Sequence, residues 1–178
     1  MELHTEGRAH RMGDDVNTDH IISSSRKKET LDPHRLKDFL FEVSSPGFAT
    51  TVQDGDVVVA GANFGCGSAM EVAVTTLLAA GVRVVLATSF SRTYYRNALN
   101  NGLVPLECDV SGIRHGDRIA VSLSGSEVKV TNVTRGVSIP TRALSPTAQE
   151  LLEAGGIVAL VRKRGGLRAP PPEPLKTP

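Results

Sequence analysis

Apolar and polar positions follow each other along the chain in short, readable blocks. Asp56 is followed by four apolar residues, Val57 to Ala60, which is the signature of a short buried strand. From Ala69 to Ala80 the pattern is apolar nearly all round, which predicts a buried helix beginning at Ser68. Val82 to Ala87 reads as a second buried strand, introduced by Gly81 just past the helix end. Ser89 to Asn100 reads as a helix closed by Asn101-Gly102, and Leu103 to Leu106 as a third strand. Upstream, residues 7–12 form a weak strand pattern. The polar run 13–30 offers little to bury and reads as a long loop, of the kind that inside a compact domain carries function or is disordered. Asp32-Pro33 then has the form of a helix cap with proline at the first position. The apolar spacing of Leu36, Phe39 and Leu40 carries that helix to about Glu42, and Pro46-Gly47 breaks it.

The texture changes after Gly116. Arg118 to Leu123 and Glu127 to Thr131 alternate across Ser124-Gly125-Ser126, a hairpin pattern, and Gly136 to Pro140 offers another strand. Ser145-Pro146 opens a helix to Ala154, Gly155-Gly156 stops it, and Ile157 to Val161 reads as a last strand. The proline-rich stretch 163–178 is expected to be a disordered tail on a domain spanning 1–162. Strand–helix–strand–helix–strand order in the first part argues for parallel pairing with right-handed crossovers. The expected fold class is therefore α/β, in three layers, with a β-rich C-terminal portion.

Length and charge narrow the function. At 178 residues the chain can bury one substantial core, and a net charge of +1 gives no case for nucleic acid or an acidic membrane. With 4% aromatic residues and no tryptophan it has few platforms for stacking single-stranded bases. No basic start is followed by an apolar segment, so no signal peptide is expected. No run reaches the ~18 apolar residues of a membrane span. Two cysteines, Cys66 and Cys108, are too few for a disulfide framework and suit a cytoplasmic location. The glycosylation sequon at Asn132 is then without meaning.

The candidate chemistry gathers where the central strand ends. Gly61, Gly65 and Gly67 bring backbone close to a neighbour or ligand, and a helix starting at Ser68 would aim free N–H groups at that place. A dinucleotide fingerprint would need a carboxylate at the end of the next strand, which here reads Ala87-Thr88-Ser89. A phosphate-binding loop would need a lysine followed by Ser or Thr, which is absent too. Ser68 and Glu71 have the spacing of a capping box, and Ser68 equally has the setting of a hydroxyl activated by free amides. Both readings stay open on residue types. Cys66 precedes the same helix with no histidine in its motif to activate it, which describes a small buried cysteine. Asp15, Asn17 and Asp19 begin like a calcium loop, but the sixth and twelfth positions hold His20 and Arg26, which excludes calcium. Asp19-His20 remains as a catalytic pair or a polar turn, and Arg26-Lys27-Lys28 as a solvated run or a contact for an acidic substrate.

Three segments in matching order carry a resemblance: Gly13 to Ile22 (GDDVNTDHII), Asn63 to Ser68 (NFGCGS) and Ser89 to Gly102 (SFSRTYYRNALNNG). Together they resemble the small subunits of 3-isopropylmalate dehydratase and homoaconitase, which correspond to the swivelling domain of aconitase. The likeness runs over about residues 8–162. It implies a swivelling β/α domain that works with a separate large subunit holding a [4Fe-4S] cluster. Two cysteines here cannot furnish the usual cluster ligands. The implied reaction removes water from a hydroxy-dicarboxylic acid and re-adds it at the adjacent carbon. By position, the base that takes the proton is Ser68, Asp19 and His20 lie in the segment facing the shared site, and the amides of Gly65, Cys66 and Gly67 surround the substrate anion. Arg92 and Arg96 fall in the third motif.

Two departures qualify the likeness. The family reads two serines and an arginine where this chain has Ser68-Ala69-Met70, so a carboxylate-binding arginine is replaced by Met70. Such a charge-assisted bond is worth ~1.5–3 kcal/mol. Met70 is expected instead to face a less acidic or alkyl-bearing substrate, with Arg26 or Lys28 taking over the carboxylate. The family also carries a proline after the two isoleucines, where this chain has Ser23-Ser24-Ser25. The alternatives are a related dehydratase for homoaconitate or another substituted malate, a non-catalytic partner-binding subunit, and a nucleotide-binding domain. Self-association of the isolated chain is compatible with all of them.

Overall fold

The computed structural model describes residues 2–125 and 127–166. Seven strands form one sheet: β1 (Glu2–Arg11), β2 (Val57–Ala60), β3 (Val84–Ala87), β4 (Val104–Glu107), β5 (Arg118–Ser124), β6 (Glu127–Asn132) and β7 (Val137–Ile139). Their order is β4-β3-β2-β1-β5-β6-β7. The long first strand joins two halves. Ala9 to Arg11 pair in parallel with Val57 to Val59, while Glu2 to Arg8 pair antiparallel with Ser124 to Arg118. The parallel half is β1 to β4 and the antiparallel half is the β5–β6–β7 meander.

Alternation along the parallel strands splits the core in two, because successive side chains point to opposite faces. Val57, Val59, Val84 and Leu86 pack with Leu99 of α6 (Arg92–Asn101), Leu151 and Leu152 of α7 (Pro146–Ala154), and Leu160 of α8 (Ile157–Lys163). Val58, Ala60, Val85 and Ala87 pack on the other face with Ile21 of α1 (Thr18–Ile21), Leu36 of α3 (Pro33–Leu36) and Leu77 of α5 (Val72–Ala79). Three layers result. Fully burying a side chain such as Leu77 stabilises by roughly 1.5–3 kcal/mol.

Several elements differ from the sequence expectation. The first strand begins five residues before the expected 7, because its polar N-terminal half is held by pairing with β5 rather than by burial of its own apolar face. The expected loop 13–30 contains α1 and a second short helix, α2 (Ser24–Glu29). Both are set by caps: the Asn17 side chain accepts from the Asp19 N–H, and Ser23 from the Arg26 N–H. Apolar periodicity does not show them, since α2 buries none of its residues. The Asp32-Pro33 start is as expected, with the Asp32 carboxylate accepting from the His34 N–H at 3.0 Å. That helix stops at Leu36 and tightens into a 3₁₀ turn to Phe39, because Phe41 adopts a positive φ of 53° that turns its ring into the core. A four-residue helix, α4 (Phe48–Thr51), follows Pro46-Gly47. The expected strand at 157–161 is α8. A five-residue apolar run does not distinguish helix from strand, and here Leu160 is buried while Val158 stays 60% exposed. This helix reaches Lys163, and Arg164 pairs with Glu150, so the first residues of the expected tail are ordered. The remainder of that tail, 167–178, and Ser126 of the hairpin turn lie outside the described residues.

Asp117 ties the antiparallel half together and gives the fold a pH dependence. Its carboxylate accepts from the Arg114 N–H at 2.9 Å, the Asn132 amide at 2.8 Å and the Arg135 guanidinium at 3.1 Å. The Arg114 amide above all, then Asn132 and Arg135, hold the carboxyl below the ordinary aspartate range. A folded value below the unfolded one gives stabilisation that is complete above the ordinary range and lost as pH falls through the lowered value. Asp117→Asn should therefore be less stable than the parent near neutrality, with the gap closing in acid. Urea denaturation at pH 7 and pH 3 measures this.

Candidate active site

Because β1, β2 and β3 are parallel, the loops that leave their C-terminal ends emerge at one edge of the sheet. These loops are the three segments that carry the resemblance, and they interlock. Gly61 N–H donates to the Gly13 carbonyl at 3.0 Å and Ala62 N–H to the Asp14 carboxylate at 2.7 Å. The Asn63 amide reaches Asp15 at 2.7 Å, Gly65 N–H reaches the Val16 carbonyl at 2.8 Å, and Thr18 N–H reaches the Cys66 carbonyl at 2.9 Å. On the other flank, Phe64 N–H donates to the Ser89 carbonyl at 3.0 Å, and the Ser91 hydroxyl donates to the Gly65 carbonyl at 2.6 Å. Gly65 has a φ of 77° and lies on the buried Tyr94 ring, so that a Cβ would overlap the ring carbons. Gly67, with a φ of 91°, passes equally close over the Asn17 amide. Glycine is required at both positions for approach and for backbone conformation.

Ser68 stands at the open end of this knot. Its carbonyl accepts the Thr18 hydroxyl at 3.0 Å, which fixes its backbone to the first loop. The residue is exposed, and its own hydroxyl has no hydrogen-bond partner among the described residues. The capping box is not formed. Helix α5 begins at Val72, four residues later than Ser68, and the residue before it, Glu71, is itself helical in φ and ψ with no side-chain cap. The chain spends residues 67–71 in an irregular turn because Gly67 is locked on Asn17 and Met70 is drawn inward. The N–H groups of Gly67, Ser68 and Ala69 donate to no protein acceptor among the described residues, so the free amides lie in this turn rather than at the helix end.

The remaining predicted site residues separate. Met70, expected to face a substrate, is only 3% exposed and packs in the core with Ala73 and Val74. Its unbranched thioether fills the gap under the turn. Ala69 is exposed beside Ser68. Gly65 has its amide engaged and Cys66 its carbonyl, so these two build the loop's shape. Cys66 is half-buried, not buried. Asp19 accepts from the Ser24 N–H at 3.0 Å and from the Ser24 hydroxyl, holding α2 in place. His20 accepts from the Asn17 N–H at 3.3 Å and lines a cavity of about 220 Å³ with Phe41 and Ser44. The two make no hydrogen bond or ion pair with each other or with Ser68. Arg26 pairs with Glu42 at 3.0 Å and lies over the Phe39 ring at 3.9 Å, the Glu42 bond holding the carboxyl low and the guanidinium high. Lys28 is exposed and makes no ion pair among the described residues. Sequence reasoning missed Thr18, Ser91 and Tyr94 as the parts that position the glycine loop. For Thr18 the signal was there in the density of hydrogen-bonding side chains in 13–19, where Val16 is the one apolar side chain.

Among the described residues the donors of an iron–sulfur cluster are not brought together. Burial, and then the neighbouring Asp109 charge, push the Cys108 thiol up to about 11. Among the described residues no three His, Cys, Asp or Glu side chains lie together. Nor is any described helix long and apolar enough to cross a membrane.

Comparison with known proteins places this arrangement. Residues 23–111 match the aconitase C-terminal domain. The methanogen homoaconitase small subunit of Methanocaldococcus jannaschii is 40% identical over 89% of this chain and 92% of its own length. The 3-isopropylmalate dehydratase small subunit of Moorella thermoacetica is 41% identical over 89% and 95%. The crystal structure of 3-isopropylmalate dehydratase from Methanocaldococcus jannaschii superposes with a TM-score of 0.86 at 37% identity, covering 92% of this chain and 96% of that one.

Proposed function

The chain belongs to the aconitase C-terminal-domain family as a dehydratase small subunit of the 3-isopropylmalate dehydratase and homoaconitase type, and from that premise we propose that Ser68 is its proton-abstracting base. The observation that carries this reading is the exposed Ser68 hydroxyl, without a hydrogen-bond partner among the described residues, on a backbone that Thr18 holds through its carbonyl and in a turn whose amides are free. The substrate is a hydroxy-dicarboxylic acid bound between this edge and the large subunit. When bound on that subunit, the [4Fe-4S] cluster supplies a Lewis-acid iron for the substrate's hydroxyl and carboxylate. The residues of this chain do the rest. The amides of Gly67, Ser68 and Ala69 stabilise negative charge on the serine oxygen, and that oxygen takes the proton from the carbon next to a carboxylate. Rehydration returns a proton from the same oxygen. The free thiols of Cys66 and Cys108 suit work in a reducing cytoplasm.

With Met70 in the core, the family's arginine contact has no replacement at its own position. Of the two cations considered for the task, Arg26 is committed to Glu42 and Phe39, and Lys28 is free to reach a carboxylate. Lys28→Ala should raise KM roughly tenfold or more in the assembled enzyme with little change in melting temperature. Arg26→Ala should instead lower melting temperature by releasing α2. Steady-state kinetics with a panel of substituted malates and the homoaconitate pair, alongside calorimetry, separates these roles and identifies the acid. Unchanged KM in Lys28→Ala for every acid in the panel would remove the lysine from substrate binding.

A further inference from the structure

A larger concavity of about 650 Å³ is lined by Phe90, Arg92, Tyr95, Arg96, Glu107 and Arg142. It borders the candidate active site through Phe90, whose ring meets Phe64 of the glycine loop edge-on at 6.0 Å. Its charge is unbalanced. Arg142 is neutralised by Glu107 at 2.9 Å, but Arg92 and Arg96 form no ion pair or hydrogen bond among the described residues. Both break local rules of helix electrostatics. They stand four apart on α6, where like charges repel, and Arg92 is the first residue of that helix, where the dipole disfavours a cation. Two uncompensated guanidinium groups therefore converge on one cavity at an energetic cost that a bound dianion offsets. Between the charges the Phe90 and Tyr95 rings, which meet at 5.9 Å, and Pro105 and Leu144 supply apolar wall, with Ser145 beside them.

We propose that this cavity binds a small dicarboxylate as a second ligand, distinct from the acid that meets Ser68. Each carboxylate takes one arginine fork, a match that planar guanidinium makes better than a point charge does, and the short carbon chain lies on the apolar walls. A dicarboxylate fits this set better than phosphate, which has no carbon skeleton to place there. Because Phe90 and Ser91 brace Phe64 and Gly65, occupancy is positioned to stiffen the glycine loop.

The chain has two tyrosines and no tryptophan, so its emission reports Tyr95 in the cavity wall and Tyr94 beneath the loop. Titrating the full-length chain with succinate should change that emission saturably. Arg96→Gln and, separately, Arg92→Gln should weaken binding about tenfold or more, whereas Ser68→Ala should leave it within about twofold. Both arginines are exposed, so the variants keep their fold, which circular dichroism checks. Four results overturn the proposal: no saturation in the parent chain, loss of binding in Ser68→Ala with retention in Arg96→Gln, phosphate binding as tightly as succinate, or displacement of succinate by the large subunit together with weakened assembly of Arg96→Gln. The last would assign the arginines to a carboxylate of the partner.

Discussion

Ser68→Ala is expected to lower turnover of the assembled enzyme roughly 100- to 10,000-fold, the range that a positioned general base contributes. KM should change little, because the hydroxyl is not among the groups that would hold the substrate's carboxylates. The fold should be indifferent. The Ser68 hydroxyl is exposed and bonds to nothing among the described residues, and its tether to Thr18 runs through the backbone carbonyl, which alanine keeps. Surface changes of that kind alter stability by about 0.5 kcal/mol or less. The measurement is steady-state hydration with the large subunit present, with size-exclusion chromatography to verify assembly. Full turnover in an assembled Ser68→Ala complex would favour the non-catalytic reading, in which the chain serves only as a partner-binding subunit.

Gly65→Ala should be strongly destabilising for the addition of a single methyl. The φ of 77° strains any residue with a Cβ, and the added carbon runs into the Tyr94 ring. That ring has nowhere to go, since it is 1% exposed and held between Phe64 at 5.0 Å and Phe90 at 6.4 Å. Backbone strain of roughly 1–3 kcal/mol adds to a similar overpacking cost, for about 2–6 kcal/mol in all. Urea denaturation measures it. Gly13→Ala is the matched control, because a Cβ there meets nothing within 4 Å, and its effect should stay below about 0.5 kcal/mol. Comparable destabilisation by the two substitutions would mean that the loop tolerates the methyl and that the Tyr94 contact is not what positions Ser68.

How far the sequence revealed this molecule depends on which force set each part. The central strands were legible because Val57 to Ala60 and Val84 to Ala87 are buried on both faces, and continuous apolar runs announce that. The α6 and α7 boundaries were legible within three residues, the α6 end from Gly102 and both α7 ends from Ser145 and Gly155, whose roles are local. Where tertiary contact decided, the pattern fell short. Residues 2–6 became strand only through β5, and Ile157 to Val161 chose helix after the glycine pair reversed the chain. At the site, Ser68 could be singled out by its place after three glycines. Its freedom from the helix cap could not, because that depends on Gly67 meeting Asn17 and on Met70 turning inward, contacts between segments some fifty residues apart. Neither the inward turn of Met70 nor the pairing of Arg26 with Glu42 could be read from residue types.

One experiment isolates the proton step from the departure of water. The complex with a cluster-loaded large subunit is held in deuterium oxide with its hydroxy acid, and proton NMR follows the hydrogen on the carbon beside the carboxylate. The parent complex should replace that hydrogen with deuterium. Ser68→Ala should slow replacement by the same factor as turnover while the acid still perturbs the cluster's spectrum on binding. Exchange at the parental rate in the Ser68→Ala complex would mean that some other group takes the proton, and the role assigned to this serine would be wrong.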